Sequence, residues 1–199
     1  MDGLNFLQLM SRYFPSHSFA VCVVALVANL VLPSVVYAGS EDGQKQFFEA
    51  VSKLCGRSFE GTTEFPQNAD HPMVGRKLVI SIASCSESEI RIPLQVGEDK
   101  SRTWILTRSD KGLLLKHDHR HPDGTPDQQT NYGGWAIAGG SAKSQRFAAD
   151  EETAKLIPEA TTNVWTLEFD PENQQFIYAL ERNKAPRFKA VFSLEALKN

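Results

Sequence analysis

Three histidines alternate with charged residues in Lys116-His117-Asp118-His119-Arg120-His121-Pro122-Asp123-Gly124-Thr125-Pro126-Asp127, a density found nowhere else in this chain of 199 residues. On an extended strand, His117, His119 and His121 share a face with Leu113 and Leu115, while Asp118 and Arg120 point the other way. Same-face neighbours lie ~6.5–7 Å apart along the backbone, a spacing from which two imidazoles, but not comfortably three, converge on one ion. His117 with His119, or His119 with His121, is therefore a candidate clip, completed by Asp123, Asp127, His71 or a residue of a facing strand. Imidazole with carboxylate suits zinc, and less selectively nickel, copper or iron. Two other readings use the same residues. The segment can be the polar end of a strand running into a Pro-Asp-Gly turn, with Asp118 and Arg120 paired outside. Or the imidazoles can act in acid–base chemistry or touch a ligand directly, with His119 the most central. Asp123-Gly124-x-x-Asp127 lacks the regular oxygen spacing and downstream bidentate Glu of a calcium loop.

The elements that position this segment read as one helix followed by a β-meander. Phe47, Phe48, Val51 and Leu54 recur at helical spacing after Glu41 and Asp42, and Gly56 follows as a C-cap. Beyond it the period becomes two. Leu78, Ile80 and Ile82 form one strand, and Ile90, Ile92, Leu94 and Val96 the next, across a Ser84–Glu87 turn. Thr103–Thr107 and Leu113–His119 flank a Ser109-Asp110-Lys111-Gly112 turn. Val164–Phe169 and Phe176–Leu180 flank Asp170–Asn173, and Phe188–Phe192 closes the series. Asp150 caps a short helix that stops before Pro158. The expected fold is mainly β: an antiparallel up-and-down barrel or strongly curved sheet of about 8–10 strands with an N-terminal helix plugging or flanking one end. A two-sheet sandwich is the alternative.

The segment Asn131-Tyr132-Gly133-Gly134 precedes a short apolar strand, Trp135–Ala138, and its glycines permit close approach of a ligand or of a neighbouring strand. Tyr132 joins the functional edge on this ground. Trp104, Trp135, Trp165, Phe169, Phe176, Tyr178, Phe188 and Phe192 fall at alternating positions and are expected in the core.

Residues 1–38 read as an export signal: Arg12, an uncharged apolar run from Phe19 to Leu32, then Pro33-Ser-Val-Val-Tyr-Ala38 with Val36 and Ala38 at the −3 and −1 positions. Residues 39–199 are then a single exported domain, periplasmic or secreted, with no membrane span once the signal is cleaved. Cys55 and Cys85 are the two cysteines left, and in an oxidising compartment they are expected to pair. Removing Arg12 and Asp2 leaves the charge at −3, from 21 Lys and Arg against 24 Asp and Glu, so no basic field invites nucleic acid. No nucleophile elbow, Walker loop or dinucleotide fingerprint occurs.

Gly112, His117, His119 and Asp123 are loosely similar to the first metal motif of cupins, but no histidine follows His121, so the second cupin motif is missing. A helix ahead of a meander resembles lipocalin-like barrels in architecture only, without the Gly-x-Trp of their first strand. The run His117–Asp127 with Tyr132-Gly133-Gly134 resembles uncharacterised secreted bacterial proteins over most of residues 39–199, a resemblance that implies no particular activity. The leading expectation is a small exported binding or accessory protein rather than an enzyme, with the enzyme reading left open. Its functional edge at the barrel mouth comprises His117, Asp118, His119, Arg120, His121, Asp123, Asp127 and Tyr132, facing a small-molecule ligand or cell-envelope partner. A metal-dependent or acid–base enzyme using these residues, and a structural protein with a polar histidine network, are the alternatives.

Overall fold

A computed structural model describes residues 38–66 and 70–195, with side chains described from residue 42. All but the last residue of the expected export signal lies outside this range. Helix α1 (Ala38–Ser52) leads into β1 (Ser58–Phe65), β2 (Leu78–Ser81), the two-residue β3 (Ser84–Cys85), β4 (Glu89–Val96) and β5 (Asp99–Ser109). Then come β6 (Gly112–His119), β7 (Tyr132–Trp135), β8 (Ser144–Ala148), α2 (Glu151–Leu156), β9 (Val164–Asp170), β10 (Gln175–Arg182) and β11 (Ala185–Ser193).

Every strand pair is antiparallel, and the order β7-β6-β5-β4-β2-β1-β11-β10-β9-β8 follows the chain, with β3 paired only to β4. β1 joins β11 from Gly61↔Phe192 to Phe65↔Lys189. The outer strands β7 and β8 meet at one bridge, Ala136↔Phe147, reinforced by Ile137 N–H on the Arg146 carbonyl. The sheet is thus nearly closed into a barrel, and the sandwich alternative does not form. The middle of the inward rows is apolar: Ile90, Ile92, Leu94 and Val96 on β4, for example, and Leu113 and Leu115 on β6.

One end is sealed. Phe47, Phe48 and Val51 of α1 and Leu54 just beyond it are buried, and Gln44 Oε1 accepts from Leu113 N–H at 2.8 Å. The Cys55–Cys85 disulfide ties the end of this plug to β3.

Three expectations need correction. The strand placed at Trp135–Ala138 is instead Tyr132–Trp135, with both glycines inside it. A Cβ on Gly134 would overlap the Ala148 carbonyl oxygen, so the close approach is to neighbouring backbone. Trp135 therefore stands on the outer face, 36% exposed, and is not in the core. The strand from Leu113 stops at His119, which takes His121 off the inward row. Strands β1 and β8 carry too weak an alternation to be read from sequence. In Ser58–Phe65 the inward positions are Phe59, Gly61 and Thr63, and Gly61 is bare because the Phe192 ring packs where its Cβ would be.

Candidate functional site

The end opposite α1 gathers the close of β6, the start of β7, the start of β9 and the close of β10. The β5/β6 register sets the inward side chains there, pairing Trp104 with His117 and Arg102 with His119. β7 continues it, pairing His117 with Tyr132. Period two on β10 aligns Phe176, Tyr178, Leu180 and Arg182 on one face. These rows leave a cavity of about 410 Å³ at the mouth. Its floor is formed by Tyr132, Trp165 and Tyr178, its walls by apolar side chains such as Ile157, Leu180 and Phe188, and its polar groups include His119, Asn163 and Arg182 together with the carboxylates Asp127 and Glu159. His71 arrives from the loop between β1 and β2 and stacks on Phe188 at 5.3 Å.

Below the cavity the rings form a packed column. Trp104 stacks on Tyr178 at 4.3 Å and 10°, and His117 on Tyr132 at 4.7 Å and 8°. His117 Nδ1 lies 3.2 Å from the Tyr132 carbonyl, which can only accept, so Nδ1 carries the proton. Its Nε2 then accepts from the Tyr178 hydroxyl at 2.9 Å. Burial pushes the His117 pKa down to about 3, and His119 and Lys116 add to the shift against the opposing carbonyl bond. His117 is therefore a neutral, fully bonded floor residue with no nitrogen left for a metal.

His119 differs, because it lines the cavity, and its Nε2 meets the Tyr132 hydroxyl at 3.0 Å. Burial lowers its pKa and Arg102 adds to this, while Asp127, Asp118 and Asp99 oppose. Burial raises the Tyr132 phenol to about 12 and that of Tyr178 well above the ordinary value, so both remain hydroxyl donors at neutral pH. Arg182 gives Nε to Asn163 Oδ1 at 2.8 Å, and Asn163 is only 4% exposed.

Of the eight residues expected at the functional edge, the structure brings His119, Asp127 and Tyr132 to the cavity, with His117 directly beneath. Four others lie away from it. Asp118 points outward, accepting from Arg120 Nε and Thr130 Oγ1. His121 is exposed, with Nδ1 4.0 Å from Asp127 Oδ2. Asp123 caps its own turn through Thr125. Among the described residues no group of three or more His, Cys, Asp or Glu side chains is arranged to hold a metal ion.

Trp165 and Tyr178 are buried in the core, as their alternation predicts, and also border the cavity, whereas Asn163 and Arg182 are site residues that the sequence pattern did not single out. One signal was present for Arg182: an arginine on the apolar parity of a strand, two positions after Leu180. The outer wall holds a larger open groove, about 940 Å³, across β1 and β11. Its charges are partly matched to one another, as in the Lys77–Glu60 pair, and it lacks the aromatic floor of the mouth.

Set beside known proteins, the chain matches no family model, no curated protein and no solved structure.

Proposed function

We propose that the chain is an exported small-molecule-binding protein whose site is the cavity at the barrel mouth. One observation carries the reading: the interior beneath α1 is filled by buried apolar side chains, with an open polar groove of about 630 Å³ beside α1 along Gln44, Lys45 and Arg108, whereas about 410 Å³ at the other end is floored by aromatic side chains. That volume is near the lower range of small-ligand sites, which combine apolar walls with a few fixed polar groups. A site of this size suits a ligand of one or two rings. The apolar run of residues 19–38 and a disulfide suited to an oxidising compartment support export. Among the described residues no helix is long and apolar enough to cross a membrane.

The test is to purify the protein from the cell envelope without denaturant, release bound small molecules and identify them by mass spectrometry, alongside Trp165→Ala. The expected result is a ring-bearing compound carried by the parent and lost from the folded variant, on a chain beginning near Gly39. Identical small molecules on both proteins would overturn the site. A mature N-terminus far from Gly39 would overturn the export assignment.

A further inference from the structure

We infer that the mouth cavity selects a planar aromatic acid, its ring laid against the half-buried Tyr132 and its carboxylate held by Arg182. The inference rests on the binding role proposed for this cavity and names the class of ligand. Arg182 stands on the inward face of β10, half-buried, and enters no ion pair among the described residues. Its Nε is fixed by the buried Asn163, which aims the guanidinium, while Nη1 and Nη2 have no protein partner among those residues. A guanidinium lifted partly out of water and left without a carboxylate carries a desolvation cost that an incoming anion offsets, and its two terminal nitrogens match the two carboxylate oxygens.

The two carboxylates that line the cavity do not meet this need. Asp127 stands beside His121 and accepts from Gln129 N–H, and Glu159 is exposed. Neither lies within ion-pair distance of Arg182, and both add negative charge around the cavity, which disfavours a dianion more than a monoanion. The acid is therefore singly charged. His119, neutral and hydrogen-bonded to Tyr132, contributes a polar edge without adding positive charge.

The ring follows from shape. Tyr132 is half-buried and offers ring surface to the cavity, backed by Trp165, which is 1% exposed and lies 5.9 Å away at 36° from coplanar. Phe147, Phe176 and Phe192 are fully buried beneath, so no channel runs down the axis to take a long alkyl chain. Flat ring faces lying offset against aromatic side chains gain beyond simple burial.

Four probes of known composition separate the terms: indole-3-acetate, its neutral amide indole-3-acetamide, the cation tryptamine, and octanoate. Calorimetric titration at pH 7, low salt, is expected to give indole-3-acetate at least tenfold tighter binding than each of the others. Arg182→Gln, with its fold checked by melting, is expected to bring indole-3-acetate and indole-3-acetamide within twofold of each other, chiefly by weakening indole-3-acetate. Arg182→Lys keeps the charge but loses the fork, and is expected to fall between. Equal binding of acetate and acetamide to the parent overturns the acid and leaves the cavity as a binding site. Tightest binding by tryptamine assigns the selectivity to Asp127 and Glu159 and overturns it too. Tightest binding by octanoate overturns the ring. Silence of all four overturns this inference, while the co-purification experiment judges the cavity itself.

Discussion

The two ends of the barrel are built on one alternating pattern and finished in opposite ways. Beneath α1, Phe47, Phe48 and Val51 fill the end of the barrel, and a disulfide holds the filler in place. At the mouth, the inward positions carry His119, Tyr132 and Arg182, and no segment of the described chain descends to fill the space. Period-two alternation is satisfied in both halves, so the difference lies in residue type. Apolar side chains at an end collapse onto a plug, whereas the aromatic side chains under the mouth spend their polar tips on the two histidines, Tyr178 on His117 and Tyr132 on His119.

The contrast can be strained from either side. Phe47→Ala removes a fully buried ring from the plug and is expected to cost about 3–5 kcal/mol, read by denaturant unfolding, without altering ligand affinity of the folded fraction. Acid is expected to act mainly through the mouth half. With a folded-state pKa near 3 against an ordinary 6.5, His117 binds a proton more readily in the unfolded chain. Its contribution is therefore complete above about pH 6.5 and is lost as pH falls toward 3, up to roughly 4–5 kcal/mol at ~1.4 kcal/mol per unit. Melting temperature measured across that window should fall steeply, and the fall should flatten in His117→Phe. Asp99, held at about 2 by Ser101 and Arg102 bonds that outweigh its burial, adds its own loss only below about pH 4.

Replacing both cysteines with serine opens a loop spanning a separation of 30 residues and is expected to cost about 3–4 kcal/mol in the chain-entropy description. It loosens the plug and leaves the mouth intact, so ligand affinity below the melting transition should hold. The smallest effect belongs to His121→Ala with Asp123→Ala. Both residues are exposed and lie off the cavity, so melting should shift by no more than ~0.5 kcal/mol equivalent and binding should not change. A large loss of binding in this pair would move the functional edge back to the turn.

The barrel was legible because β4, β6, β9 and β10 alternate strongly and their turns carry Asp, Gly and Pro. It was least legible at β1, where a neighbouring ring replaces a side chain, and at β7, where backbone packing demands glycine in mid-strand. The histidine segment pointed to the correct end of the molecule for a reason only half contained in it. His117 and His119 do project inward, but the Pro122-Asp123-Gly124 turn takes hold after His119 and carries His121 away. The rest of the mouth comes from β9 and β10, more than forty residues further along, as at Trp165 and Arg182. Their role depends on register across a closed sheet, and no local pattern encodes which strand ends meet there.

The central claim is that the mouth binds and the plugged end does not. Two-dimensional NMR of the isotopically labelled protein, titrated with a mixture of small aromatic fragments, tests it most directly. The account expects the Trp165 indole and the amides around His119, Tyr132 and Arg182 to shift in a saturable way, while those of Phe47, Val51 and Leu54 stay fixed. Saturable shifts confined to the α1 end, or none at the mouth at millimolar fragment, would contradict it.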